Sequence, residues 1–409
     1  MPLPRRARLS QNNNSMTDFS KSSESHRGEF PVALLLTVLG LVTVGAVMLF
    51  STSAIHASEF RGDSSYFLKR HLAYLVIGTC AAIFAAWVNP NLWRRHSNWL
   101  LIGAVILLAL CLIPGLGLKI NGARRWLGTS AIRFQPSDLA KFALLVFLAT
   151  WFDRHHRRVK TFRDGFAVPI GVTALVCGLI FVEPDFGTTA LTGLVAITLM
   201  FVAGTRWIFL IPTILLGAGG FALAIAHDPT RMKRILAFLD PEGTAQGAGY
   251  QTWQALLAFG SGGLTGRGLG NSAAKFFYLP EARTDFIFPI IGEELGLVGC
   301  LAVILAFATL IILGIRIALR ANGLYSSLLA LGIVSLIGFQ AAINIGVVTG
   351  ALPNKGLPLP FISFGGSNLV MNLLGIGVLV NIARHTAPDP VEEEKPYPDP
   401  IAENARLVT

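Results

Sequence analysis

A chain of 409 residues that is 53% hydrophobic and only 14% charged, with a mean hydropathy of +0.60, excludes a soluble globular protein. Its 33 Lys and Arg against 23 Asp and Glu leave a net charge of +10, which in so apolar a chain points to anionic membrane lipid and not to nucleic acid. The four cysteines, Cys80, Cys111, Cys177 and Cys300, each lie inside an apolar run without CxxC spacing, so they read as packing residues and not as a disulfide or metal site.

Residues 1–29 are rich in Ser, Asn and Arg and read as a disordered tail. The apolar run that follows is too long for the core of a cleavable signal peptide, so it is expected to remain as the first span. Ten candidate spans lie near 31–52, 71–88, 99–114, 138–152, 166–183, 188–203, 206–226, 286–315, 325–348 and 366–383. The expected fold is an all-α integral membrane protein with ten transmembrane helices over 30–384. A Pro- and Glu-rich tail over 385–409 reads as a second disordered segment.

An even span count puts both ends on one side. Arg5, Arg6, Arg8, Lys21 and Arg27 in the first tail, and Arg154, Arg157, Arg158, Lys160 and Arg163 in the 153–165 loop, make that side cytoplasmic. Two loops on the other side break the charge bias. Residues 115–136 carry Lys119, Arg124, Arg125 and Arg133, and residues 227–285 carry Arg231, Lys233, Arg234, Arg267, Lys275 and Arg283. Cations kept on the outer side suggest an anionic ligand such as a pyrophosphate, with solvation or contact with lipid heads as the plainer alternative.

The turn Glu183-Pro184-Asp185-Phe186-Gly187-Thr188 joins the fifth and sixth spans, and Asp185 there is either a helix cap or a functional carboxylate. The long loop 227–285 has Trp253, Leu256 and Leu257 at helical spacing, so a partly helical, ordered lid is expected. Its glycines between Gly260 and Gly270 lack the GxxxxGK[ST] pattern, which excludes a phosphate-binding P-loop.

The stretch Tyr278 to Gly299 organises the rest. A polar strip with Glu281, Arg283 and Asp285 turns apolar within two residues, yet Glu293 and Glu294 follow inside the apolar run. Ionised groups there need a partner, an aqueous cavity or a substrate. The last external loop, 349–367, is apolar but broken by Pro353, Pro358 and Pro360. Irregular backbone near membrane depth survives only where protein or a water-filled cavity satisfies it, so this loop is expected to close the same cavity.

Five strings occur in order: Asn121-Gly122-Ala123-Arg124-Arg125-Trp126, Phe134 to Lys141, Pro184-Asp185-Phe186-Gly187-Thr188, Leu279 to Gly296, and Lys355 to Ser367. Together they resemble the SEDS proteins (shape, elongation, division and sporulation) of bacteria over about 30–384. The Lys355–Phe361 and Ile291–Glu294 strings are more similar to the division member than to the elongation member. The resemblance implies a peptidoglycan glycosyltransferase that polymerises lipid II at the outer face of the cytoplasmic membrane, concentrated at the division septum. Its implied partners are a class B penicillin-binding protein, an FtsI-like transpeptidase, and other divisome membrane proteins. It further implies that Asp285 matches the family's essential aspartate, Trp126 the tryptophan of the NGAxxW string and Lys141 the lysine of the SELAK string. The chain departs from the family pattern at Asp138 (commonly Glu), Arg283 (usually His), Pro289, Asn354 and Asn368.

Such chemistry is an inverting transfer from an undecaprenyl-pyrophosphate-linked disaccharide. A sugar hydroxyl is a poor nucleophile, so one carboxylate must act as general base, and Asp285 fits that role. Charge developing on the departing pyrophosphate must meet Arg, Lys or a divalent cation such as Mg2+ or Mn2+; no organic cofactor is expected. Arg124, Arg125, Lys141 and Lys355 are the candidate receivers, and Trp126, Ser137, Asp138, Glu293, Ser363 and Ser367 complete the expected substrate-binding set. Lys141, a helical turn from Ser137 and Asp138, fits an internal ion pair equally well. A lipid II flippase and a non-catalytic divisome scaffold remain as rival readings, although the polar groups gather toward one side of the spans.

Overall fold

The computed structural model describes residues 12–120, 122–129, 133–276 and 279–386, and of residues 12–30, 55, 56, 60 and 61 the backbone alone. The outermost parts of both expected tails lie outside the described residues, as do Asn121 of the NGAxxW string and Tyr278. The helices run in order as α1 (Asn12–Arg61), α2 (Tyr66–Trp87), α3 (Pro90–Arg95), α4 (Ser97–Leu112), α5 (Pro136–Arg154), α6 (Val168–Val182), α7 (Phe186–Val202), α8 (Trp207–Ala226), α9 (Pro229–Leu239), α10 (Tyr250–Gly262), α11 (Ile287–Arg320), α12 (Gly323–Val348) and α13 (Gly366–Arg384). All ten expected spans coincide with one of them. Among the described residues, seven helical segments are long and apolar enough to cross a membrane. Of the other three, α4 and α7 are apolar but shorter, and α5 is interrupted by Asp138, Lys141, Asp153 and Arg154.

Helix α5 is buried over nearly its whole length, and α12 and α13 pack beside it with extensive buried faces. A helix apolar on all sides belongs at the centre of a bundle, which is where its Asp138 and Lys141 acquire partners. Helix α8 is the opposite case, with Leu210 its one buried residue and the rest of its apolar surface turned outward. The long connection between α8 and α11 contains α9 and α10, as a partly helical lid requires, and α10 packs against the start of α11.

Residues 115–136 depart from the all-α expectation. They form a small antiparallel sheet of β1 (Leu118–Ile120), β2 (Ala123–Gly128) and β3 (Arg133–Phe134) in the order β1-β2-β3. Strands this short, carrying cations in place of alternating apolar residues, leave no period-two signal in the sequence. Pairing passes from Leu118↔Trp126 to Lys119↔Arg124, so Arg125 is the extra residue of a bulge. A bulge re-aims a side chain out of the ladder.

Pro289 does not disturb α11, because it falls in the first turn where no intrahelical amide is needed. The break comes at Gly296, whose φ of 68° and ψ of −166° are open essentially to glycine alone. The severed backbone groups find partners in the glycine-rich segment after α10. Arg267 N donates to Glu293 O at 2.9 Å and Gly268 N to Glu294 O at 3.0 Å, while Leu297 N and Val298 N donate to Gly263 O and Leu264 O at 3.0 and 3.2 Å. Side chains fasten the same seam. The Glu293 carboxylate accepts from Ser272 Oγ, from Ala273 N at 2.9 Å, from Ala274 N at 3.1 Å and from Arg267 at 3.1 Å. Glu294 pairs with Lys275 at 3.1 Å and accepts from Ser51 Oγ of α1 at 2.7 Å. A Cβ on Gly296 would lie 2.5 Å from Leu264 O. Gly296→Ala is therefore expected to destabilise the protein by at least about 1–3 kcal/mol from the backbone conformation alone. A lowered thermal midpoint in detergent, with faster proteolysis of the 263–276 segment, is the measurement that checks it.

Candidate active site

The sheet, the 183–188 turn, the start of α11 and the 349–365 loop meet at one end of the bundle. Asp285 stands two residues before α11, after a turn in which Glu281 adopts a left-handed φ of 56° and accepts backbone bonds from Thr284 and Phe286. A Cβ on Gly356 would lie 2.6 Å from Asp285 Oδ2, so only glycine leaves the carboxylate its place. Among the described residues nothing hydrogen-bonds that carboxylate, which leaves it open to accept a proton. Burial pushes its pKa up from 3.8 to about 7, with the charges of Glu281 and Asp185 adding and Arg125 opposing.

Arg125, thrown out of the ladder by its bulge, reaches across to the 183–188 turn. Its Nε donates to Glu183 O at 3.1 Å and its terminal nitrogen to Pro184 O. Asp185 caps α7, accepting from Thr188 N at 3.1 Å and Thr188 Oγ1 at 2.9 Å, and it also accepts from Gln135 at 3.2 Å. Both of the sequence alternatives for Asp185 thus have a physical basis: it caps a helix, and its charge acts on Asp285 and Lys355. Glu183 has both carboxyl oxygens buried without a hydrogen-bond partner among the described residues, and burial raises its pKa to about 8, with Asp185 adding and Arg125 opposing. Burial thus favours its neutral form. The Lys355 ammonium lies over the Phe221 ring of α8 at 4.5 Å, and burial lowers its pKa against the pull of Asp185.

A second polar group lies deeper and is joined to the first. Gln135, whose side chain donates to Asp185, gives its backbone N–H to Ser367 Oγ at 3.2 Å, and Ser367 Oγ donates to Asp138 Oδ2 at 2.7 Å. Asp138 pairs with Lys141 at 2.9 Å, with both side chains buried. The shorter Asp138 still reaches Lys141, Ser367 and Asn368. A narrow cleft beside this ion pair is lined by Phe142, Ile333, Asn368 and Asn372.

Of the expected site residues, the structure brings Asp285, Arg125 and Lys355 into one electrostatic cluster and Asp138, Lys141 and Ser367 into the linked one. Arg124 and Trp126 are half-buried on β2, opposite Lys119 and Leu118. Three others stand apart. Glu293 is consumed by the seam beneath the 263–276 segment, which four donors account for. Ser363 Oγ accepts from Leu359 N within its own loop, and Ser137 Oγ is buried without a hydrogen-bond partner among the described residues. Sequence reasoning gave no site role to Glu183 or Gln135 and left Asp185 undecided. The signal was present in two carboxylates flanking one proline at the end of an apolar run. Among the described residues no three of His, Cys, Asp or Glu are grouped to hold a metal ion, so the donor set does not form a protein-only cation site.

The cell cycle protein family that groups FtsW, RodA and SpoVE matches residues 32–388. The chain belongs to this family. Among members of the FtsW/RodA/SpoVE family, it is 42% identical to stage V sporulation protein E of Bacillus subtilis over 86% of this chain and 96% of that one. It is 41% identical to a probable peptidoglycan glycosyltransferase FtsW of Trichlorobacter lovleyi over 87% and 93%. Its fold resembles a chain of a solved peptidoglycan synthase complex that coordinates polymerization and crosslinking, with a TM-score of 0.70, 28% identity, and coverage of 87% and 98%. The rod shape determining protein RodA of Thermus thermophilus gives a TM-score of 0.64 at 28% identity, with coverage of 87% and 97%.

The raised pKa of Asp285 has a consequence for stability. A carboxyl whose folded-state pKa exceeds its ordinary 3.8 makes folding less favourable as pH rises from that value through about 7, and the full penalty applies above it. Asp285→Asn removes the charge and is expected to raise the thermal midpoint at alkaline pH, with the difference closing on acidification. Equal midpoints across that range would show a well-solvated carboxylate.

Proposed function

We propose that this protein is a peptidoglycan glycosyltransferase of the division type, polymerising lipid II into glycan strands for septal wall synthesis. The observation that carries the reading is Asp285. It is a carboxylate without hydrogen-bond partners among the described residues and with a near-neutral pKa, close to Arg125 in a chain 41% identical to a probable peptidoglycan glycosyltransferase FtsW. A general base works best when its pKa lies near the operating pH, and here burial and two neighbouring carboxylates bring that about.

In the proposed reaction the Asp285 carboxylate takes the proton of the acceptor's 4-hydroxyl. The oxygen's electron pair forms the new bond to the anomeric carbon of the donor sugar from the face opposite the pyrophosphate. The bond from that carbon to the leaving oxygen breaks, and the pyrophosphate departs with the electron pair. Arg125 and Lys355 flank the cluster and are suited to receive that charge, Arg125 from a position already fixed by two backbone carbonyls. Lys141 is held by Asp138 and supports the floor of the site through Ser367 and Gln135.

The cation-rich sheet and the 227–285 lid belong on the outer side of the cytoplasmic membrane under this reading, with both ends in the cytoplasm. The likeness to a chain of a peptidoglycan synthase complex supports a cross-linking penicillin-binding partner. Asp285→Asn keeps the shape and cannot accept a proton at neutral pH, so it is expected to lower lipid II polymerisation by about 10²–10⁴-fold with normal folding and partner binding. Purified protein with its partner and synthetic lipid II provides the assay. More than about a tenth of the wild-type rate would refute the base assignment. A flippase or scaffold predicts no polymerisation by the wild type either.

A further inference from the structure

Asn344 stands on α12 one turn beyond Gln340, on the same face of the helix, and is 1% exposed. Its Nδ2 donates to the backbone carbonyl of Asp285 at 2.8 Å and to that of Leu357 at 2.6 Å. Those carbonyls belong to the two segments that meet at the site: the start of α11 and the loop whose Gly356 lies against the Asp285 carboxylate. The two donors of one nitrogen thus set the spacing between them. Asn344 Oδ1 is buried with no hydrogen-bond partner among the described residues. An orphan acceptor is unfavourable, so maximal stability does not explain an amide here. Gln340 provides the contrast. Its Nε2 donates to Pro358 O at 2.8 Å and Asn368 Oδ1 at 3.1 Å, and its Oε1 accepts from Asn368 at 3.4 Å. It holds the same loop with both ends satisfied and makes no bond to the Asp285 segment.

We infer that Asn344 is a positioning residue for the Asp285 base, fixing the reach of the carboxylate toward the acceptor hydroxyl by tying the main chain of Asp285 to Leu357. This rests on the reading of Asp285 as general base. Asn344 itself does not bind substrate, so its loss misplaces the base and leaves substrate affinity alone. A shift of about 1 Å at a reacting group lowers the rate by as much as ~10²-fold.

The test uses the full-length protein with its penicillin-binding partner in liposomes and synthetic lipid II over a concentration series. Asn344→Leu removes both donors and the orphan acceptor, and Asn344→Asp keeps the shape and loses the donors. Each is expected to lower kcat by about 10- to 100-fold while KM moves by less than about threefold. In an Asp285→Asn background, adding Asn344→Leu is expected to cause no further loss, because two residues acting through one group are not additive. A further loss of the same size assigns Asn344 an independent role and overturns the inference. So does a wild-type kcat in both variants, a rise in KM at unchanged kcat, or failure of both to fold, which makes Asn344 a residue of the fold. An Asp285→Asn protein that keeps its rate brings down the base assignment and this inference with it. An inactive Asp285→Asn with fully active Asn344 variants brings down the inference alone.

Discussion

The seam between the broken helix α11 and the glycine-rich segment after α10 is the contact on which the site depends. Backbone polar groups freed within an apolar surround must be met by protein, and at Gly296 four backbone hydrogen bonds from residues 263–268 meet them. The break divides α11 into a short buried start and a long remainder. It is the short start that presents Asp285 to the 349–365 loop and the 183–188 turn. Glu293 and Glu294 fasten the seam with Arg267, Ser272, Lys275 and Ser51, so the lid, α1 and α11 are tied at one point. Charged groups that deep are tolerated because each has a partner.

Against that background Asp285 and Glu183 stand out as carboxyl groups without hydrogen-bond partners among the described residues. Burial favours the neutral form of Glu183, which lessens the charge carried into its buried place. Asp285 is poised between its two forms. Burial and Glu281 raise its pKa, and the same residues that hold the turn in shape, Arg125 and Asp185, adjust that poise from opposite directions. Structure and chemistry are therefore linked through one bulge on β2 and one cap on α7.

The spans were legible in the sequence because hydropathy reports length and apolarity, which the membrane imposes directly. The helical lid was legible from Trp253, Leu256 and Leu257. The sheet at 118–134 was not, because two- to six-residue strands rich in Arg carry no periodic signal. Arg124 and Arg125 look equivalent in sequence, yet a bulge sends Arg125 to the 183–184 carbonyls. The engagement of Glu293 in the seam was hidden for a related reason. Its carboxylate belongs with the site on sequence distance from Asp285, and only the break at Gly296, with donors some twenty residues upstream, shows it facing elsewhere. Asp285 stands out in the sequence as a carboxylate between a charged strip and an apolar run, and in the structure it lies against Gly356 of the 349–365 loop.

Asp285 acts as the base with a pKa raised by burial and tuned by its charged neighbours, and a pH–rate profile of lipid II polymerisation tests this most directly. The rate should rise with a single ionisation at about pH 7 as Asp285 loses its proton. Arg125→Gln should move that midpoint upward by removing the cation that favours the carboxylate, and Asp185→Asn should move it downward by removing a like charge. A profile flat across about two units on either side of neutrality, or a midpoint that neither substitution moves, would contradict the account.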